Sequence, residues 1–287
     1  MTLAPAPTLT VTSYQRRHLQ PIRDLLFHNI HVHSHLDWVD SDQWLDSGDT
    51  ITYLAWQRGR LVGVLGLSAP LNNSTWIRIA GVSDFMSPQD VLPVLWETII
   101  PILKTMGVKI VGLLGISQWM THYAPSLGFR YGEEIITLAR ADEPLPPALA
   151  NPPRIRVAEL RDISQIAAVD QAAFTPPWQM SFHDLRQAYR IASSCTIAVE
   201  NDRILGFQIS TFFFDGAHLA RLAVHPSSQG RGVGGALLRD LLERYNRRGI
   251  ESMTVNTQSS NHQSRNLYER FGFQPNGYDL PYWSAVL

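Results

Sequence analysis

The chain has 287 residues, 45% hydrophobic and 17% charged, a composition ordinary for a soluble globular protein and long enough for one large or two smaller domains. A formal net charge of -1 and a sequence pI near 6.8 exclude bulk attraction for nucleic acid or an anionic membrane, so any anion site must be local. The single cysteine, Cys195, excludes an intramolecular disulfide and fits a reducing cytoplasm.

Residues 1–8, rich in Pro, Ala and Thr, read as a loose tail; no basic region followed by an apolar core marks a signal peptide, and no apolar run reaches about eighteen residues. A cytoplasmic protein without a membrane span is expected. Leu19, Ile22, Leu25 and Leu26 stand in helical register and predict a helix within 14–27. The stretch 28–38 then crowds His28, His31, His33, His35 and Asp37 together. A helix would put His28, His31 and His35 on one face, a strand His31, His33 and His35; neither pattern brings the supporting partners a metal centre needs, so no metal is expected. Runs at 50–57 and 60–68 predict strands joined at Arg58-Gly59. A strand at 76–82, a helix at 91–106, a buried strand at 108–115, a short helix at 118–126 broken near Pro125, and a strand at 135–140 follow.

Residues 142–153 carry five prolines without apolar periodicity, the pattern of an extended linker between domains at 1–141 and 154–287. The second half repeats the first. Gly63 and Gly206, Gly107 and Gly249, and Gly128 and Gly272 stand 142–144 positions apart, and 53–63 parallels 196–206. The expectation is a tandem of one α/β fold, α+β in its layering, each copy a mostly antiparallel central sheet flanked by helices. Cys195 falls in the strand-like run 195–199, with no adjacent His or cation, and reads as a small buried residue.

The stretch His218 to Gly235 organises the second half. Residues 219–224 are apolar enough for a buried strand, which Pro226 ends. Gly230, Gly232, Gly234 and Gly235 follow, then a helix over 235–247 with Ala236, Leu237, Leu238, Leu241, Leu242 and Tyr245 on one face. A strand, a glycine turn and a helix N-terminus together make a cradle for a phosphate, with Arg231 inside the turn.

Gln229-Gly230-Arg231-Gly232-Val233-Gly234 resembles the Q/R-x-x-G-x-G/A signature of the GNAT superfamily of acetyl-CoA-dependent N-acetyltransferases. A strand at 251–256 and the run from Asn261 through Leu267-Tyr268 to Gly272-Phe273 resemble that family's N-x-x-x-x-x-L-Y-x-x-x-G-F segment. The resemblance implies a GNAT fold in both copies and acetyl-CoA as cosubstrate. It implies that backbone groups of Leu222, Ala223 and Val224 align the pantetheine arm, that Gln229, Gly230, Arg231, Gly232, Val233, Gly234 and Gly235 hold the pyrophosphate, and that Asn261 contacts the cofactor further along. Tyr268 matches the family's proton donor. A phenol near pKa 10 protonating a thiolate near 8.5 is uphill by only about 2 kcal/mol.

The glutamate that the N-terminal-acetylating branch places five residues before the asparagine is Asn256 here, so His218, where histone-acetyltransferase relatives carry a carboxylate, is the candidate base. The loop 174–178 resembles that branch's Pro-Trp substrate loop, and the tandem layout resembles mycothiol synthase. In the first copy the glycine loop is replaced by Ser83-Asp84-Phe85-Met86, and Ala124 stands where the second has Tyr268. That copy is expected to be degenerate, a scaffold or substrate wall. The resulting expectation is transfer of acetyl to a primary amine, either a peptide or protein N-terminus or a small molecule. A non-catalytic acyl-CoA sensor is the alternative.

Overall fold

The structure, a computed structural model, describes residues 9–141, 143–213 and 216–287; the expected tail at 1–8 lies outside the described residues, as does Asp142 of the Pro-rich stretch. Contacts divide the chain into Met1–Gly132 with Leu280–Leu287, and Glu133–Asp279. No helix among the described residues is long and apolar enough to cross a membrane.

The first unit opens with β1 (Thr10–Ser13), α1 (Leu19–His28), β2 (His31–Ser34) and α2 (Ser41–Leu45). The hairpin β3 (Ile51–Gln57) and β4 (Arg60–Leu67) follows, then β5 (Ser74–Val82), α3 (Pro88–Thr105), β6 (Ile110–Leu114) and α4 (Gln118–Tyr123). Pairing is antiparallel except between β5 and β6, which run parallel over Ser74, Thr75 and Trp76 against Ile110, Val111 and Gly112. One face of the sheet packs on α3 through Val91, Leu95, Trp96 and Ile99, the other on α1 through Ile22 and Leu25.

Past Trp76 the two parallel strands part, and β2 takes the vacated edge. Its four residues pair antiparallel with 79–82 of β5: His31 with Val82, Val32 with Gly81, His33 with Ala80, Ser34 with Ile79. The outward carbonyl of Val32 accepts from Ser117 Oγ at 3.0 Å and Trp119 Nε1 at 2.9 Å. Asp84, at the counterpart of the glycine loop, accepts from the Ile30 N–H, and its own N–H donates to Asn29 Oδ1, so both fasten the segment that leads into β2. The crowded histidines thus lie in a strand, His31 and His33, and on its flanks, His28 and His35, and among the described residues no three His, Cys, Asp or Glu side chains form a metal-binding group.

The second unit takes β7 (Arg130–Arg140) from residue 133 on, then β8 (Arg154–Val157), α5 (Ile163–Ala173), α6 (Phe182–Ile191), β9 (Ser194–Glu200), β10 (Arg203–Phe213) and β11 (Gly216–Val224). It continues through α7 (Val233–Asn246), β12 (Met253–Gln258), α8 (His262–Arg270) and the short β13 (Gln274–Pro275). The last strand, β14 (Leu280–Val286), pairs with β6 of the first unit, whereas β7 pairs with β12 from Met253–Arg140 to Gln258–Ile135. The division therefore differs from the expected 1–141 and 154–287: each parallel strand, β6 and β12, has its outer edge covered by the final strand of the other half's sequence. Unsatisfied strand edges are costly, and both ladders meet that demand.

The repeat is carried into the backbone. Both hairpins turn through left-handed residues, Arg58-Gly59 and Asn201-Asp202. A Cβ at Gly63 would run into Val91 of α3, and one at Gly206 would lie 2.6 Å from the Ala223 carbonyl of β11 and 3.3 Å from Leu237 of α7, so the corresponding glycine of each hairpin lies under a helix. Cys195 is buried in β9, and burial pushes its thiol up to about 12.

His33 is fully buried beneath β2, and burial together with the Arg78 charge pushes it down to about 4. A folded-state value below the unfolded 6.5 means that stability is present above that pH and is lost as pH falls toward 4. Urea unfolding is expected to show about 2 kcal/mol less stability at pH 5 than at pH 7.5 from this residue, and His33→Leu should flatten that part of the slope.

Candidate active site

The site follows from a change in strand pairing. Between β11 and β12 the parallel ladder runs only through Ala217–Met253, His218–Thr254 and Leu219–Val255. Beyond it, β11 keeps β10 on one side, with Arg221 opposite Ile209 and Val224 opposite Gly206, and among the described residues no strand covers the other. Leu222, Ala223 and Val224 lie on this uncovered length, which in the first unit is the length that β2 fills. A one-residue bulge at Ala220 accompanies the parting. It reverses the side-chain alternation, so Arg221 falls on the α5 face beside His218, and Leu222 and Val224 turn to the α7 face.

The glycine turn stands at the end of that edge. His225 Nδ1 accepts from the Ser227 N–H, and Gln229 Nε2 donates to the Val224 carbonyl at 3.2 Å, holding the turn against the strand. Gly230 and Gly232 sit at φ +74 and +79, which a side chain adopts only with strain, and Gly232 is the N-cap of α7. The first-turn N–H groups of Val233, Gly234 and Gly235 have no partner within the helix, so the turn presents converging amides at a helix N-terminus, the arrangement that suits a pyrophosphate. Gly234 also serves packing: a Cβ there would lie 3.3 Å from Leu267 of α8. Arg231 turns away from the amides to Glu200, 2.7 Å from its Oε1, with both side chains about half exposed. Leu149 of the Pro-rich stretch packs on Gly232, where a Cβ would lie 2.5 Å from its Cδ1.

Of the predicted chemical groups, Tyr268 is buried in α8 against Phe273, and its hydroxyl takes no hydrogen bond among the described residues. Burial pushes its phenol well above the usual range, and the Arg221 charge pulls it back. His218 lies where the ladder is still closed, its Nδ1 2.9 Å from Thr254 Oγ1. Asn261 caps α8, its side chain accepting from the Ser264 N–H, and it also lines a cavity of about 190 Å³. Ala173, Phe174, Thr175 and Trp178 form one wall of this cavity, and Gln258, Ser260 and Asn261 the other; among the described residues no charged side chain lines it. Asn256 is exposed on β12.

Sequence reasoning did not find the ion pair beside this cavity. Arg221 donates through Nε to Asp170 Oδ2 at 2.7 Å and through Nη2 to the Trp178 carbonyl at 2.7 Å, and its guanidinium lies 3.6 Å from the Phe174 ring centroid. Asp170 is fully buried on α5 and accepts the Met180 N–H with its other oxygen. Burial pushes its carboxyl up, and Arg221 and that N–H pull it back. A charge inside each of two apolar runs, 166–173 and 217–224, was the available signal. Opposite, Ser260 is fixed by Glu133 of β7, which accepts from its hydroxyl at 2.6 Å and its N–H at 3.1 Å.

The model of the Acetyltransferase (GNAT) family matches residues 163–273. The ribosomal protein bS18-alanine N-acetyltransferase of Haemophilus influenzae is 31% identical over 115 residues, 40% of this chain and 77% of that protein. Its Escherichia coli (strain K12) namesake is 29% identical over 115 residues, 40% of this chain and 76% of that protein. Over almost the full length, the chain is similar in fold to a tandem GNAT protein from the clavulanic acid biosynthesis pathway. The TM-score there is 0.62 at 14% identity, with 97% of this chain and 98% of that one covered.

Removing one member of a buried ion pair leaves an uncompensated charge and costs roughly 3–5 kcal/mol, whereas replacing both costs much less. Asp170→Ala is expected to lower unfolding free energy by about 3 kcal/mol, and Asp170→Leu with Arg221→Met to recover most of it in urea titrations. Equal losses in the two would contradict the pairing.

Proposed function

The chain belongs to the GNAT acetyltransferase family, and on that premise we propose that its second unit transfers acetyl from acetyl-CoA to the α-amine of a peptide or protein N-terminus. The observation that carries this reading is the uncovered edge of β11, with an amide-rich helix N-terminus at one end and a neutral cavity alongside. The residues fit the cosubstrate. An extended arm has backbone groups at Leu222, Ala223 and Val224 to pair with, and a pyrophosphate has the amides of residues 229–235. In the first unit the corresponding edge is already paired with β2 and Asp84 is engaged with Asn29 and Ile30, so we assign that unit no acetyl-CoA.

Two jobs fall to side chains. As the amine attacks the thioester carbonyl, His218 takes up its proton; as the carbon–sulfur bond breaks, Tyr268 gives its hydroxyl proton to the departing thiolate. The raised phenol does not defeat this, because the same burial raises the thiolate it protonates. Thr254 holds the imidazole of His218 in place.

The acceptor follows from proton cost. An α-amine near pKa 8 is about one-tenth neutral at pH 7, a cost of roughly 1.4 kcal/mol, against roughly 4.6 for lysine near 10.4. With Asn256 in place of a carboxylate, the α-amine is the easier acceptor. The bS18-alanine N-acetyltransferase relatives, named for such an acceptor, support the reading.

Incubation with acetyl-CoA and a panel of free N-terminal peptides, N-blocked lysine peptides and small amines should give product on the free N-termini. Product on lysine or small amines alone, or none, would overturn the assignment. Tyr268→Phe is expected to lower kcat by about 100-fold and to leave the acetyl-CoA dissociation constant within about twofold.

A further inference from the structure

The cavity beside the uncovered edge has two walls of different kind. The wall from β12 and α8 is fixed by secondary structure and by Glu133 on Ser260. The other, from Phe174 to Trp178, leaves the end of α5, where the Phe174 N–H donates to the Asp170 carbonyl, and crosses to α6 as a loop outside both helices and the strands. Arg221 of β11 attaches it: the guanidinium takes the Trp178 carbonyl, lies on the Phe174 ring, and is anchored by fully buried Asp170. A guanidinium does this where an ammonium cannot, because its planar fork serves a carboxylate and a carbonyl at once and offers a flat face to a ring. At about 190 Å³, the cavity between the walls is well below the roughly 300–1,000 Å³ of a drug-sized site.

We propose that Arg221 is a positioning residue that sets acceptor size: by holding Phe174 and Trp178 against β11 it keeps the cavity small, so that acceptors with a small first side chain are selected over large ones. This rests on the acetyltransferase reading above. The bulge at Ala220 is what makes the arrangement possible, since without it Arg221 would fall on the α7 face, away from Asp170. Arg221 itself transfers no proton and does not line the cavity; it acts through the loop.

The test uses the full chain, acetyl-CoA, and two peptides differing only in their first residue, Ala or Leu. For wild type, kcat/KM should favour the Ala peptide. Arg221→Met should shrink the Ala-to-Leu ratio by about tenfold or more, through KM rather than kcat, with acetyl-CoA affinity within about twofold. Arg221→Lys, which keeps the charge against Asp170 and loses the fork, guards against a folding failure of the first variant and should move the ratio the same way by at least about threefold. An unchanged ratio in either active variant, or an equal fall for both peptides through kcat alone, overturns the inference while leaving the function intact. No product from wild type with any acceptor overturns the function, and this inference with it.

Discussion

Everything proposed for this chain depends on two parallel strands that stop pairing. β11 and β12 share three residue pairs and then separate, which among the described residues leaves 222–224 with a strand partner, β10, on one side only. Strand edges inside a fold demand partners, because an unpaired buried N–H or carbonyl costs a hydrogen bond's worth of free energy. A sheet that opens in its middle must therefore be completed by something. The glycine turn, the capped helix α8 and the ion pair on α5 are all placed around that opening.

The same opening occurs in the first unit and is closed by different means. There β2 completes the edge of β5, Ser117 and Trp119 satisfy its outward carbonyl, and Asp84 ties down its approach. The sequence positions that form the glycine turn in one copy are fasteners for an internal strand in the other. Duplication followed by filling of one slot gives a physical account of a tandem with a single proposed cosubstrate site. It also explains the four crowded histidines: they belong to a strand and its flanks, where His33 and His35 are kept neutral chiefly by burial and then by the Arg78 charge.

Much of this was legible in the residues. The repeat showed in paired glycines and hairpins, and the glycine turn and the Leu-Tyr segment pointed to family and fold. What escaped has a common cause. β2 is four residues long and is defined by a partner more than forty positions on, which no local period reveals. The placement of β7 beside β12 and of β14 beside β6 is set by pairing with strands far away in the chain. Arg221 and Asp170 are 51 positions apart and meet only because a bulge turns one of them round. Local pattern carries element type and motif; pairing at long range carries the choice between an open slot and a closed one.

The central claim is that the open edge of β11, and not its counterpart on β5, receives acetyl-CoA. Hydrogen exchange of the full chain with and without acetyl-CoA tests it most directly. The account predicts slowed exchange at the amides of Leu222, Ala223, Val224 and 229–235, with 79–90 unchanged. Protection over 79–90, or none over 222–235 at saturating acetyl-CoA, would contradict it.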